Sequence, residues 1–560
     1  MESPPQKCAQ KRLGEAALLV AGALSLLFAQ TVIAQAPRIR GTNTSYAPGD
    51  WITYPVLRYV QAAALGDQHV YFGTTGGVAR FDRFRNRWDY PLTVSNGLAD
   101  DNILCVAYDV STGLLWCATS VSVAYLEPSS QVWTNFFYDE VGCPSADRVV
   151  SIGFARRQVW LETEENHLLV GDPSGFAPAA EDPPEEVVWF GGRAPRPKLP
   201  HLFAEVGLFY DARGLLQDVN LRQFPITCWV NDPWQVLWIG SWGLGAGRGD
   251  LKSYRLTMLP IGLCQRDARV VAREGKEFWI GGVDEDQMPG VTLWDGADSW
   301  SYFEPRLLMG FRSACVNSIA PCPEQVWLGT DQGLVWFDRA RQLWKTFGKT
   351  ELLPDERVND VLVDSLYVWA ATRRGVTRYL RSSLRTDSLV AQLVQWPALG
   401  DVAVYDLART QNLIWMGTEY GIYVYDCAGD SGGFYSAPEG PLSRPVTAVA
   451  SCGQEIWFGT PETVEGFDMR SRSWFRPPAR LLQTGGRVNR IAADTSAVWA
   501  TTDNGVLKYD RKRKRWRLFT VEDGLPSNEV FSVCLDGDYV WFGTRRGLTR
   551  FYWNSPYRID

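Results

Sequence analysis

Histidine does acid–base and metal chemistry most readily at neutral pH, and this sequence has only three: His69, His167 and His201. They stand far apart along the chain, which argues against a metal cluster or a histidine-based catalytic group. No Gly-x-Ser-x-Gly follows a strand-like run, so a nucleophile elbow is missing as well. The cysteines show no Cys-x-x-Cys spacing, which speaks against a zinc site. Asp284-Glu285-Asp286 could take Ca²⁺ but lacks the remaining ligand ladder, and Arg248-Gly249-Asp250 is too short a match to carry meaning. Glu162 occupies a position that holds a small residue in related stretches, so a buried carboxylate there needs a partner. These residues predict a non-enzymatic protein with no catalytic group, metal or cofactor.

What chemistry remains sits in turns. Thr75, Gln332, Arg373, Arg374, Tyr420, Asn504, Arg545 and Arg546 fill the variable positions of a recurring Thr-x-x-Gly. Arginine and tyrosine are favoured binding residues. With the inserts at residues 193–201 and 284–289, these turns are expected to decorate one face that contacts a ligand or a protein partner. A second set, with Arg83, Arg85, Arg87, Arg339, Arg341, Arg470, Arg472 and the run 511–515, is expected on the opposite face. The recurrent Asp82, Asp338, Asp426, Asp468 and Asp510 read as turn formers.

The elements that position these turns are repeats. Val540-Trp541-Phe542-Gly543-Thr544-Arg545-Arg546-Gly547-Leu548 recurs with variations along the chain. From Trp369 the anchor tryptophans follow at steps of 46, 42, 42 and 42 residues, through Trp415, Trp457 and Trp499 to Trp541. Self-similarity at such a period is the mark of propeller blades. Each unit reads as four short strands: an apolar strand A (Val358-Asn359-Asp360-Val361-Leu362-Val363), the Trp-bearing strand B, strand C after Thr-x-x-Gly, and an aromatic strand D such as Arg87-Trp88-Asp89-Tyr90. Strand B lacks polar alternation, as expected of a sheet covered on both faces. The Gly or Ala that usually stands two residues after Trp admits the next blade closely.

The units resemble the two-component regulator propeller repeats, the best match running from Asp523-Gly524-Leu525-Pro526 through Trp541-Phe542-Gly543-Thr544 to Phe551. The resemblance extends from about residue 51 to residue 552 and is poor between 172 and 222. It implies an all-β propeller and a role in extracytoplasmic sensing, with carbohydrate as one ligand class. The chain shows no kinase or DNA-binding part, so sensing would need a partner.

The anchors predict ~11–12 four-stranded blades, and because usual rings hold ~4–8, two rings are favoured over one large ring. Residues 172–222, with Val188-Trp189-Phe190-Gly191-Gly192, read as a degenerate blade or one with an enlarged B–C loop. The last unit lacks strand D, and Asp50-Trp51-Ile52-Thr53-Tyr54-Pro55 carries the strand-D pattern. The N-terminal strand is therefore expected to complete the C-terminal blade and hide a sheet edge.

Residues 1–34 read as a secretory signal peptide, with Lys7, Lys11 and Arg12 ahead of an apolar run and Val32-Ile33-Ala34 before the cut. Residues 35–560 are then the exported repeats, periplasmic or extracellular, with no membrane span. A formal net charge of −7 argues against nucleic acid as partner. Cys105 and Cys117 lie on strands A and B of one blade and read as two buried thiols, with a disulfide as the alternative. A scaffold in a cell-surface assembly and a glycan-cleaving propeller remain the other readings. The last needs convergent carboxylates outside the turn-Asp positions.

Overall fold

Thr330 shows why each repeat folds into a hairpin. Its hydroxyl donates to the Gly333 carbonyl at 2.7 Å and accepts from the Gln332 amide at 3.2 Å, bracing the two-residue turn between strands B and C. Gly333 has φ +123°, and a Cβ there would meet the Phe347 carbonyl at 2.4 Å. Thr372, Thr418, Thr502 and Thr544 repeat the hydroxyl-to-glycine bond. On strand B, Trp327 is fully buried, and a Cβ on Gly329 would lie 2.9 Å from Val358 of the next sheet. The glycine thus sets the distance between blades.

The computed structural model describes residues 46–556, apart from 144–146, 196–197, 206, 212, 284–289, 314, 382–390, 394–398, 436–444 and 476–485. The leader and the Asp284-Glu285-Asp286 insert lie outside the described residues. Among the described residues the chain is an all-β propeller of eleven sheets, nine of them four-stranded, antiparallel throughout except where Phe203–Ala204 pairs parallel with Arg255–Leu259. None of its helices is long and apolar enough to cross a membrane.

Neighbouring A strands reveal how the sheets are arranged. Strands Val270–Glu274, Val316–Pro321, Val358–Val363, Val404–Thr410, Ala448–Cys452, Val488–Ala493 and Val530–Asp536 follow one another, and the last lies beside the first. These seven sheets form a closed circuit. The other four form an arc through Gln223–Asp232, Val60–Leu65, Ile103–Asp109 and Val149–Ala155. The arc is inserted in sequence between strand Trp51–Tyr54 and the rest of the circuit. One apolar cluster joins the two, with Phe72, Phe81 and Trp238 from the arc and Phe278, Trp294 and Trp541 from the circuit. Buried Glu304 of the circuit binds Arg58 at 3.3 Å and Arg222 at 2.6 Å, both from the arc's side.

The N-terminal strand completes the C-terminal sheet: Trp51–Tyr54 pairs antiparallel with Gly547–Tyr552, from Trp51↔Phe551 to Tyr54↔Leu548. The Trp189 region corrects the expected degenerate blade. Val188–Gly191 is a fifth strand added to the sheet of residues 149–178, and Trp189 is only half-buried. It pairs with Gly153, where a Cβ would meet the Trp189 ring at 2.8 Å, so Trp189 covers a glycine instead of anchoring a blade. Phe203–Ala204, Leu208–Tyr210 and Leu215–Asp218 extend the next sheet to seven strands.

Two local expectations hold. Asp82 accepts from the Phe84 and Arg85 amides at 2.9 Å, Asp338 from Ala340 and Arg341 at 3.0 Å, and Asp468 from Arg470 at 2.8 Å, as turn formers do. Cys105 and Cys117 are free and buried. A bulge after Ile103 pairs Cys105 with Ala118 and Cys117 with Val106, so the thiols sit in different apolar clusters.

Candidate functional site

The A strands carry two polar positions in an otherwise apolar run, and both clasp the next sheet. At the second position, the side-chain amides of Asn317, Asn359 and Asn489 donate to the carbonyls of Val358, Val404 and Val530 at 2.9, 2.8 and 2.9 Å. Thr447 does the same to Val488 at 2.7 Å. At the third position, Ser318 accepts from the Val361 amide at 3.1 Å, Asp360 from Leu407 at 3.0 Å and Asp406 from Val449 at 2.7 Å. These bonds run around the inner wall of the circuit and position whatever lies at its mouth.

Arg490 occupies the third position in its own strand and reaches across. Its guanidinium is paired with Asp406 and lies 3.2 Å from Asp360 Oδ1, skipping the sheet of residues 448–475 between them. Both carboxylates are buried. Burial pushes the Asp406 carboxyl up to about 8, against the pull of Arg490, and the neighbouring Asp360 charge adds to the rise. Arg490 itself is raised despite its own burial, because Asp406 and Asp360 favour its charged form.

Above this cluster opens a cavity of about 740 Å³. Arginines 357, 373, 374, 487 and 490 line it, with the carboxylates of Asp355, Asp401 and Glu419 and the ring of Tyr405. Asn317, Asn359 and Asn489 stand in its wall. A volume of this size is in the range of small-molecule sites, ~300–1,000 Å³.

The predicted turn residues divide between places. Arg373 and Arg374 line this cavity, and Arg374 lies 3.5 Å from Asp401. Thr75 and Arg546 line a second cavity of about 340 Å³ where arc and circuit meet, with Asp100, Asp101, Asn102 and Arg266. There Arg546 is 3.9 Å from Asp101, whose carboxyl burial pushes up to about 6 in spite of a hydrogen bond from the Val94 amide. Gln332, Tyr420 and Asn504 are exposed turn residues that line neither cavity. Arg545 is exposed and paired with Glu529 at 2.8 Å.

Arg490, Asp360 and Asp406 were not among the predicted site residues. Their signal is a charge inside the apolar strand-A run, as in Val358-Asn359-Asp360-Val361 and Val488-Asn489-Arg490-Ile491.

Elsewhere, polar groups are engaged structurally. Buried Glu162 receives Arg193 at 2.6 Å. His69 lies 2.7 Å from Asp89 and His167 2.8 Å from Asp147, each with a further carboxylate near. Asp82 and Asp147 in these groups already accept backbone amides, which accounts for both arrangements as turn braces. On the face of the C–D turns, Arg83 binds Asp232 at 2.6 Å, Arg339 binds Glu277 at 2.7 Å and also Glu274, and Arg511 binds Glu455. Each carboxylate belongs to a neighbouring sheet, so these arginines join blades.

Residues 524–546, the last hairpin, match the family described as Two component regulator propeller. The chain carries a two-component regulator propeller repeat. No curated protein matches the chain by sequence. Among solved structures, PorZ, an essential bacterial surface component of the type-IX secretion system of Porphyromonas gingivalis, superposes with TM-score 0.56 at 15% identity. That alignment covers 90% of this chain and 87% of PorZ. The extracellular domain of BT3049 from B. thetaiotaomicron, described as a hybrid two component system, gives TM-score 0.43 at 17% identity, over 87% of this chain and 61% of that one. The extracellular domain of BT4673 from the same organism gives 0.42 at 15%, over 90% and 71%. At these identities the likeness is one of fold. The regulator propeller repeat supplies blades, and the site is built from residues that break its pattern.

Proposed function

We propose that this two-component regulator propeller protein is a non-enzymatic, exported recognition module that binds a ligand at the mouth of its seven-sheet circuit. The observation that carries the reading is the 740 Å³ cavity into which several sheets each contribute polar side chains. The repeat frame makes the walls rigid, because side-chain hydrogen bonds link the A strands in succession from Val316–Pro321 to Val530–Asp536. A rigid frame with variable residues at its mouth is how a repeat fold changes ligand without changing structure. The repeat matched at residues 524–546 is described as that of two component regulators, which supports sensing as the setting, with signalling left to a partner.

A glycan-array screen of the exported protein, run beside Ala403→Trp, tests this. Ala403 lines the cavity and contributes there a backbone amide bonded to Glu419. Retention of one glycan class by the natural protein and its loss in the variant is expected. Equal retention by both would move the site elsewhere.

A glycan-cleaving reading has one observation in its favour, the three carboxylates Asp355, Asp401 and Glu419 in the same cavity. Hydrolysis of a retained glycan, abolished in Glu419→Gln, would decide for it. Binding without turnover decides for recognition.

A further inference from the structure

We infer that the cavity is an oxyanion site and that its ligand is an acidic oligosaccharide. The inference rests on the reading that this cavity binds ligand, and it names the chemistry.

The protein carries a net charge of −7, so five arginines gathered around one cavity stand out. Of the five arginines in the cavity, Arg490 is already engaged by Asp360 and Asp406. Arg374 faces Asp401 at 3.5 Å, both side chains being largely in water. Arg357, Arg373 and Arg487 make no ion pair and no side-chain hydrogen bond within the described protein. Arg357 is the telling one: its Nε is buried and has no acceptor. A buried donor left unpaired costs ~1–3 kcal/mol, which a ligand oxygen in the cavity would recover.

The two remaining carboxylates do not take up these charges. Asp355 accepts the Arg357 backbone amide at 3.0 Å and Glu419 accepts the Ala403 amide at 2.9 Å. The cavity therefore offers planar guanidinium forks, which match carboxylate, sulfate and phosphate with two parallel hydrogen bonds.

A simple ion does not use the rest of the site. Asn317, Asn359 and Asn489 have their amide nitrogens committed to the neighbouring strand. That commitment turns the carbonyl oxygens of Asn359 and Asn489 into fixed acceptors, suited to hydroxyl groups, while that of Asn317 already accepts from the Cys315 thiol at 3.4 Å. Tyr405 adds an aromatic surface of the kind on which sugar rings rest. Oxyanion groups spaced along a hydroxyl-bearing frame satisfy all three features together.

The test is calorimetric titration of the whole exported protein with inorganic sulfate, inorganic phosphate, trigalacturonate and a neutral galactose trisaccharide. It is repeated with the double variant Arg373→Gln/Arg487→Gln, both residues being exposed, and with Arg545→Gln as a control outside the cavity. At least one anion is expected to bind, more weakly as salt is raised. Its Kd is expected to rise about tenfold or more in the double variant and to hold in the control. Which anion binds best separates carboxylate from sulfate or phosphate as the recognised group. Absence of binding by every anion, or binding that ignores the double variant, overturns the inference. If the neutral trisaccharide binds as well as the acid, and Ala403→Trp abolishes it, the cavity remains the ligand site and only its acidic character is refuted. If neither trisaccharide binds and the glycan array is blank, both readings fall.

Discussion

Trp51 stacks on Phe551, their ring centroids 3.9 Å apart and their planes 9° from parallel, although they come from opposite ends of the chain. The contact is the closure of the circuit. A four-residue strand from the N-terminal side occupies the edge that the last sheet would otherwise leave open. Trp51 is buried with Trp499, Phe519 and Phe542 in one apolar cluster. Trp51→Ala should destabilise the protein by about 3–5 kcal/mol, as large aromatic cavities do. Hydrogen exchange should speed up first at Gly547–Tyr552, the partner strand. Unchanged protection there would mean that closure contributes nothing to the last sheet.

Anchor tryptophans should behave alike because their surroundings repeat. Trp327 is fully exposed to neighbours and not to water, packed with Trp336 and Phe347 and facing the next sheet. Trp327→Ala and Trp457→Ala are each expected to cost about 3–5 kcal/mol in chemical denaturation. Losses below about 1 kcal/mol at both would show that these positions are not core.

The blades were legible because one hairpin is written many times, and each copy corrects errors in reading another. Closure was legible for a similar reason, since Trp51, Tyr54 and Pro55 follow one another in the order of Trp88, Tyr90 and Pro91, with one more residue between Trp and Tyr. Trp189 was read as an anchor because a tryptophan followed by Phe-Gly-Gly resembles one, while strand pairing is decided by what Gly153 leaves uncovered. The candidate site was legible only at its rim, through Arg373 and Arg374. Its floor depends on Arg490 meeting Asp360 and Asp406 across the circuit, and that meeting follows from closure, not from any local pattern. Thr75 and Arg546 share a cavity for a similar reason, because the insertion point of the arc brings two distant turns together.

The ten cysteines of the described chain are free. Burial holds the Cys105 thiol up at about 12 and raises Cys117 well above the ordinary range. Thiolate is the reactive form, so neither should react in the folded state. Labelling with a maleimide followed by peptide mass analysis should leave both unmodified until denaturant is added. A peptide in which the two are cross-linked would contradict their placement in separate clusters.

Glu304 holds the arc to the circuit by binding Arg58 and Arg222 together, with Arg58 and Glu304 both almost wholly buried. Removing the carboxylate leaves the buried Arg58 guanidinium without its ion pair, while the partly buried Arg222 keeps Asp218 at 2.7 Å. Glu304→Ala should cost about 3–5 kcal/mol, the range for breaking a buried pair from one side. The loss should appear as protease cleavage near residues 55–60 and 260–266, where the chain crosses between the two. A variant as resistant as the natural protein would show that the apolar cluster alone secures the junction.

Asp406 makes stability depend on pH in a direction opposite to most of the carboxylates here. Its folded carboxyl is pushed up to about 8, chiefly by burial, with Arg490 pulling the other way. The unfolded carboxyl titrates near the ordinary value of about 4. Between these limits the folded state holds a proton that the unfolded state has released, so its contribution is full below about pH 4 and declines as pH rises through about 8. Asp82, Asp147 and Asp510 are shifted downward and lose stability only on strong acidification, outside this window. Asp101, raised to about 6, acts in the same direction as Asp406 and must be subtracted. Asp406→Asn does so, because asparagine keeps an oxygen for the Val449 amide and cannot titrate. Urea midpoints measured at about pH 5 and about pH 9 should fall more in the natural protein than in Asp406→Asn. Equal falls would show that Asp406 is ionised throughout, with Arg490 outweighing its burial.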